Sequence, residues 1–507
     1  MPFDDVPAGA RAAAPLAPPA HDMAPSSSSG RNGTLIAAVL AFAMTVSAIA
    51  SVVVVPLLGE LAVELHASPT AAAWSLIIVT LITGVTTPVF GRLGDLFGYR
   101  KLLIAAFALL TVGTIVCATA TSMPVFLAGR ALQGFVGGVL PVAIGTVRNY
   151  VRPARVRLAI GIIVAGEGVG VGVGFILGGL LQSHPWNDAF WVLLAPVAVS
   201  LALIVTVVPG SSAGQVIRRF DIPGAVLLMA GALGLLLPLS QGPTWGWASG
   251  RTIGLFIAGA VLLLVWGWWE LHTADPLIDL RPFRSVHFLL PNVVTFALGA
   301  SIGAVFLLFV GYAEIPAAVA GYGFGASTLH AGSFLLPDAV CVLIAGPLVG
   351  LLAYRKGARP VVITGAVLIA ATFLLLAPAH DRQWELYLGS AVFGTAVAFS
   401  LTGLYSVVGE AVGPDQAGMA QGVNSLVVGL GSATGSAAVT SLLSAHVIAH
   451  TPLSVPAGYT YSYIMCGLLG LLAVGVSVAE ARIARRRRVV SPVLAAQAVS
   501  SVDSISG

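Results

Sequence analysis

The chain is poor in charge. Only 9% of its 507 residues are Asp, Glu, Lys or Arg, whereas soluble domains carry about 25%. The hydrophobic share is 57% and the mean hydropathy is +0.97. This composition excludes a soluble enzyme or binding domain and predicts a polytopic, all-α membrane protein.

Cysteine is scarce as well. The three cysteines, Cys117, Cys341 and Cys466, lie in separate apolar runs, so neither a disulfide framework nor a metal site is expected. The net charge of +4 is no signal for nucleic acid. A nucleophile–base pair and an ATP-binding motif are also missing. We therefore expect no enzyme, no cofactor and no ATP-driven pump, and a gradient must supply the energy for any transport.

Apolar runs of the ~20 residues that a membrane span needs recur fourteen times along the chain. Six lie in residues 34–210, two in residues 211–285 and six in residues 286–482. We expect residues 1–33 to form a disordered tail rich in Ala, Pro and Ser, without a cleavable signal pattern. A second disordered tail, residues 483–507, begins with a basic cluster.

Basic residues are distributed unevenly between the connecting segments. If the N-terminus is cytoplasmic, fourteen spans place all but three of the 24 basic residues on the cytoplasmic side. The exceptions are Arg130, inside a span, and Arg251 and Arg382, outside. The positive-inside rule therefore predicts a plasma-membrane protein with both termini in the cytoplasm.

Two polar loops between spans are similar in sequence: GRLGDLFGYRK at Gly91–Lys101 and GLLAYRKGARP at Gly350–Pro360. The matched positions keep glycine or arginine, namely Gly91 with Gly350, Gly98 with Gly357, and Arg100 with Arg359. Glycine permits turns and close backbone approach. Asp95, which matches Tyr354, lies where it can accept hydrogen bonds from helix-terminal amides or pair with an arginine. The pair predicts an internally duplicated transporter, although both could be ordinary basic turns.

The first of these loops resembles the signature loop between helices 2 and 3 of the major facilitator superfamily. Other stretches are similar to its 14-helix drug:proton antiporter-like branch: GRALQG at Gly129–Gly134, FDIPGAVLL at Phe220–Leu228, QGPTWGW at Gln241–Trp247, DPLIDLRPF at Asp275–Phe283 and GMAQGVNSLVVGLGSATG at Gly418–Gly435. The resemblance implies the major facilitator fold, with two six-helix bundles around a central cavity and two inserted peripheral helices. It makes the two loops a conformational-gating motif. We also expect a monomer.

Arg130 is the clearest ionisable residue within a span, where charge is costly and therefore suggests function. Gln133 and Gly134 follow it on a small, polar helix face. The resemblance matches Arg130 to an arginine implicated in proton coupling. The alternative is a structural arginine that binds a carboxylate or backbone carbonyl groups.

The fifth span contains a glycine-rich run, Ala165–Gly179. Gly174 and Gly178 share a helix face with Glu167, and we expect Gly174, Gly178 and Gly179 to pack against a neighbouring helix. The antiporter motif of the family has a proline where this chain has Phe175, which weakens the inference of export. Glu167 is a candidate proton carrier, or else a neutral or paired structural acid.

Two acids in the second half are further candidates for transport or proton coupling. Asp338 lies near the middle of the tenth span, and Glu314 lies beyond the ninth, where it could be solvated at the cavity mouth. Relatives in the branch usually carry an acid in the first span, about eight residues before a proline. The matching stretch, Ala48–Pro56, has none. Any coupled proton must therefore use Glu167, Asp338 or Glu314.

The leading hypothesis is a secondary active transporter that exports small amphipathic organic compounds in exchange for protons, by alternating access. Its expected partners are a small-molecule substrate, protons and the lipid bilayer. A facilitator or proton symporter for a metabolite stays open, because the first-span acid and the motif proline are missing. A sensor or scaffold without transport is the hypothesis from another class.

Overall fold

The computed structural model describes residues 29–210, 220–278, 280, 286–410, 417–448, 451 and 453–503. The predicted N-terminal tail lies outside the described residues as far as residue 28. So do four basic residues of the predicted cytoplasmic loops: Arg218, Arg219, Arg281 and Arg284.

Fourteen helices in this part of the chain are long and apolar enough to cross a membrane. In chain order, α1 to α14 are Gly33–Glu64, Ala71–Phe97, Tyr99–Ala118, Met123–Tyr150, Pro153–Ser183, Asp188–Val207, Ile222–Trp245, Gly250–His272, Phe288–Glu314, Leu329–Lys356, Ala358–Leu376, Gln383–Glu410, Gly418–Ala445 and Pro456–Ala484. A short helix, Ala317–Ala320, lies between α9 and α10. The predicted all-α fold with fourteen spans is confirmed.

The helices form two bundles, α1–α6 and α9–α14, whose main contacts with each other are α5 against α10 and α2 against α13. Each helix of the first bundle corresponds to the helix eight places later, so these two contacts are equivalent. Such duplicated packing is expected of an internally repeated transporter. The exact domain boundaries remain a prediction.

Helix α5 is held against α1 by a ladder of glycines on one face. A Cβ atom on Gly166, Gly170 or Gly178 would lie 2.4, 2.3 and 2.3 Å from a backbone oxygen of α1, and one on Gly174 would lie 3.0 Å from the Cα of Ile49. Between helices in a membrane, small residues allow this close backbone packing. The predicted packing role of Gly174 and Gly178 agrees with this geometry.

A second glycine face of α5 meets α10 in the other bundle. Gly161 and Gly346 touch reciprocally, since a Cβ on either would lie within 2.5 Å of the other's carbonyl oxygen. Gly179 meets the side chain of Leu329. The α-helical part of α5 runs unbroken over Pro153–Leu180, so the replacement of the motif proline by Phe175 leaves this helix intact. Helix α5 thus joins its own bundle to the other.

Helix α1 is broken near its end. The regular α-helix stops at Val52, and a 3-10 turn follows at Val55–Leu57. Pro56 explains the break, because it has no N–H to donate to the carbonyl group of Val52. The carbonyl groups of the last α-helical turn consequently need other donors. The equivalent helix α9 departs from α geometry in a π turn at Leu307–Gly311.

The final helix continues beyond residue 484 to Asp503, so it includes the start of the predicted C-terminal tail at residue 483. The inserted helix α7 packs on the outside of both bundles, against α2 and α13.

Candidate functional site

The two similar polar loops lie at one face of the molecule, which we call the basic face. Gly98 ends α2 with φ 95°, and Gly357 ends α10 with φ 88°. Both angles lie in the left-handed region that favours glycine. The two glycines therefore occupy equivalent tight connections, in agreement with their alignment in the sequence.

The side chain of Asp95, in α2 of the first bundle, contacts α13 of the second. Its Oδ1 accepts a hydrogen bond from the backbone N–H of Gly418 at 3.1 Å, and its Oδ2 accepts one from Met419 at 2.9 Å. These amides belong to the first turn of α13 and have no partner within the helix. A carboxylate there also interacts favourably with the helix dipole. The hydroxyl of Tyr99 donates a further hydrogen bond to Asp95.

Arg148, at the end of α4, makes the complementary contact with α12. Its guanidinium donates to the carbonyl oxygen of Gly409 at 3.0 Å and to that of Tyr405 at 3.1 Å. Cations are favourable at the C-terminal end of a helix. Asp95 therefore binds the N-terminal end of α13, and Arg148 binds the C-terminal end of α12. Each helix end meets the charge that its dipole favours.

Close backbone contacts accompany these charged ones. A Cβ on Gly91 would lie 2.2 Å from the carbonyl oxygen of Gly418, and one on Gly350 would lie 2.6 Å from that of Arg157. The predicted equivalence of Gly91 and Gly350 is thus reflected in their contacts, since each lets its helix touch the other bundle. Any side chain at these positions would separate the bundles at the basic face.

The aligned arginines, Arg100 and Arg359, each contact the last helix of their own bundle. Arg100 donates to the carbonyl oxygen of Val205 in α6. Arg359 binds both carboxylate oxygens of Glu480 in α14, at 3.0 to 3.1 Å. Arg359 also lies 3.7 Å from Glu410. Glu410 belongs to α12 of the same bundle and itself pairs with Arg157 of the other.

Glu410 links the bundles through an ion pair with Arg157 at the start of α5, 2.7 Å away. Both side chains of this pair are about one-third exposed, so solvent screening keeps its contribution small. The partly buried contacts of Asp95 and Arg148 are screened less, so we infer that they contribute more to the closure at the basic face.

A cavity of about 260 Å³ lies between the bundles, above this closure. Both bundles and α7 line it, through Met44, Ser47, Ala48, Ser51, Thr80, Thr83, Gly84, Thr87, Val136, Gly137, Leu140, Glu167, Leu236, Ile302, Tyr405, Ser425, Val428, Gly429 and Ser432. Most of these side chains are apolar or carry a single hydroxyl group. The lining suits an amphipathic organic molecule.

Among the described residues, Glu167 is the only carboxylic acid that lines this cavity. Its Oε2 is buried and has no hydrogen-bond partner, and Tyr405 of the other bundle lines the same cavity. A buried carboxyl group without a partner is costly. The arrangement leaves Glu167 free to bind a proton or a hydrogen-bond donor of a ligand.

Asp338 does not line the cavity. It lies between α10 and α12, where its Oδ1 would be 2.7 Å from a Cβ on Gly394. Its backbone N–H donates to the hydroxyl of Ser390 at 3.1 Å, and its Oδ1 has no hydrogen-bond partner. The structure thus separates two acids that the sequence placed in one group of candidates.

Arg130 is fully buried and binds backbone carbonyl groups. It donates to Ala50 at 2.8 Å, to Ser51 at 3.1 Å and to Ser75 at 3.1 Å. Its remaining contact is with the side chain of Gln133 at 2.6 Å. Ala50 and Ser51 are the residues just before the break in α1. The geometry therefore matches the structural alternative, in which Arg130 satisfies the backbone of a broken helix.

A vestibule of about 560 Å³ lies at the face opposite the basic one. Exposed Glu314 lines it together with Glu60. Phe175 and Phe306, from opposite bundles, pack there with ring centroids 5.2 Å apart. Along their helices these rings lie between cavity residues and vestibule residues, so they separate the two spaces.

Sequence reasoning missed three residues that the structure places at the site. Arg148 was counted only among the basic loop residues, although its place at the end of a span was a signal. Tyr405 and Leu236 carried no signal, because an apolar or aromatic residue in a span can face lipid, protein or cavity. Their contributions depend on how each helix is rotated.

Comparison with known proteins agrees with this architecture. The family model of the Major Facilitator Superfamily matches residues 40–436. The chain belongs to this superfamily. It is 30% identical over 393 residues to Multidrug resistance protein Stp of Mycobacterium tuberculosis, covering 76% of this chain and 71% of that one.

Two further comparisons add detail. The chain is 27% identical over 390 residues to the Tetracenomycin C resistance and export protein of Streptomyces glaucescens, again covering 76% of this chain and 71% of that one. The crystal structure of the human organic anion transporter MFSD10 (TETRAN) matches with a TM-score of 0.61 at 18% identity, covering 88% of this chain and 99% of that one. The structural likeness supports the fold alone. The chain is therefore a multi-pass membrane transporter of the superfamily.

The contacts of Asp95 generate a first prediction. Asp95→Asn removes the negative charge and one of the two acceptors for the α13 amides, and charge-assisted hydrogen bonds contribute about 1.5–3 kcal/mol each. We expect the basic face to open more often. Distances between spin labels on Lys101 and Arg355 should then shift towards larger values.

Glu385→Gln is the matched control, because Glu385 accepts from the backbone N–H of Arg382 at the opposite end of α12. It should leave the distances at the basic face unchanged. An unchanged distribution in Asp95→Asn would contradict the proposed closure.

The contacts of Arg130 generate a second prediction. Arg130→Met leaves three carbonyl groups and Gln133 without their donor, and each unsatisfied buried group costs about 1–3 kcal/mol. We expect a markedly lower melting temperature in detergent. Arg251→Met, which removes an arginine stacked 3.7 Å above the Trp245 ring, should melt close to the wild type. A stable Arg130→Met protein with lost coupling would instead support a role limited to proton coupling.

Proposed function

We propose that the protein is a secondary active transporter that exports small amphipathic organic compounds in exchange for protons. The observation that carries the proposal is Glu167, an unpartnered carboxyl group in a cavity lined by both bundles. An ionised carboxylate inside the membrane can hold a cationic group of the substrate, and a bound proton removes the charge that holds it. Competition of this kind is what exchange requires.

The proposal places the basic face in the cytoplasm, since basic residues concentrate there, with both termini on that side of the plasma membrane. Asp95 and Arg148 then close the cytoplasmic end of the cavity, while the vestibule faces outward. Alternating access requires that these contacts break when the vestibule side closes. The helix-end contacts suit such a switch, because they join the bundles at a few points.

Two of the relatives support export. Their names describe a multidrug resistance protein and a tetracenomycin C resistance and export protein. The mostly apolar cavity with hydroxyl groups and one acid suits a hydrophobic or weakly cationic compound. In this proposal the protein acts as a monomer in the bilayer, performs no chemical reaction and needs no cofactor.

A facilitator or proton symporter for a metabolite is the second candidate. The observation that favours it is α1, which contributes Met44, Ser47, Ala48 and Ser51 to the cavity and no acid. Relatives of the drug:proton branch usually carry an acid in this helix. If the missing acid abolishes coupling, the protein would move its substrate only down the substrate's own gradient.

Transport in proteoliposomes distinguishes these candidates. With an imposed pH gradient and a fluorescent lipophilic cation, we expect the wild type to drive the cation against the direction of proton flow. Glu167→Gln should reduce this movement to the level of protein-free liposomes, because an amide cannot exchange a proton at neutral pH. Substrate fluorescence and internal pH would be recorded together.

Asp338→Asn is the matched control, since it neutralises the unpartnered acid that lies outside the cavity. It should retain gradient-driven movement. Loss in Asp338→Asn with retention in Glu167→Gln would overturn the assignment of the proton site. Substrate movement without proton flux in the wild type would establish the facilitator.

A further inference from the structure

Helix α7 belongs to neither bundle, yet it contacts both. It packs against α2 of the first bundle and α13 of the second. At the end away from the basic face, the indole N–H of Trp247 donates to the hydroxyl of Ser441 in α13 at 2.8 Å. The helix therefore covers the seam between α2 and α13, beside the cavity.

One side chain of α7 passes through this seam. Leu236 is 2% exposed and lines the same cavity as Glu167. It occupies a notch in α2, because a Cβ on Gly84 would lie 2.6 Å from its Cδ1. Gly84 is thus the position where α2 has no side chain and the inserted helix supplies one.

Other side chains of α7 do not line the cavity. Val226 and Leu233 are 57% and 39% exposed, and α8 packs on the same helix. Gly234 and Gly259 allow this close approach, with a Cβ on Gly234 only 2.7 Å from the Cα of Gly259. Because Leu236 reaches the cavity while Val226 and Leu233 are exposed at the molecular surface, α7 forms part of the cavity wall.

We propose that α7 is a wall of the substrate cavity and that Leu236 sets the size of compound that the cavity accepts. The position of Leu236 is independent of what the protein transports, whereas the size selectivity rests on the proposed function. The inserted helices thereby contribute to specificity and do not merely decorate the fold.

Cysteine labelling tests the position of the wall. Leu236→Cys should react with a small, charged maleimide added to the water phase, because the side chain faces a cavity that also carries hydroxyl groups and Glu167. Leu233→Cys is the matched control, because this leucine one turn away is absent from the cavity lining and is 39% exposed on the outer surface of the membrane-spanning helix. It should react much more slowly. Wild-type protein gives the background from Cys117, Cys341 and Cys466. Equal rates for the two variants would overturn the proposal.

Transport of a graded series of lipophilic cations tests selectivity. Leu236→Ala enlarges the cavity and should raise the rate for the largest cation relative to the smallest by up to about tenfold, the scale of discrimination by a hydrophobic pocket. Leu236→Phe should lower this ratio. Gly84→Ala should also lower it, because the added methyl group pushes the Leu236 side chain into the cavity.

Leu233→Ala is the control for these ratios and should match the wild type. Ratios that stay unchanged in all three cavity variants, while the wild type transports the series, would overturn the role of Leu236 in selectivity. If the wild type transports none of these cations, the proposed function fails on this substrate class. The labelling rates still decide whether α7 lines the cavity.

Discussion

Backbone groups that lose their helical partners inside a membrane must find others, since lipid offers none. This constraint explains the position of three charges, of which one is buried and two are partly buried. Arg130 binds the carbonyl groups before the break in α1, Asp95 binds the first amides of α13, and Arg148 binds carbonyl groups near the end of α12. A charged side chain that binds a helix end gains hydrogen bonds for itself and supplies them to the backbone groups that lack a helical partner.

The consequences of these contacts differ with their location. Arg130 joins α1, α2 and α4 of one bundle, so its contacts can persist while the bundles move. Asp95 and Arg148 join helices of different bundles, so their contacts must break when the basic face opens. Glu167 differs from all three, because its buried oxygen has no donor and it lines the cavity between the bundles. We therefore expect function at Glu167 and structure or gating at the other charges.

Sequence patterns predicted the fold well and the site only in part. Fourteen apolar runs predicted the fourteen helices, because a membrane span needs about 20 apolar residues. The aligned loops predicted the paired turns at Gly98 and Gly357, because a positive φ favours glycine. The partners of Asp95 are backbone amides more than 300 residues away, and no residue type marks a backbone amide. The separation of Glu167 from Asp338 depends on helix rotation, which packing decides.

The most direct test of the role of Glu167 is proton release on substrate binding. Purified protein in weakly buffered solution would be mixed with a lipophilic cation while the pH is recorded. Competition at one carboxyl group predicts the release of about one proton per bound cation from the wild type, and none from Glu167→Gln. Equal proton release from the variant, with the cation still bound, would contradict the exchange site at Glu167.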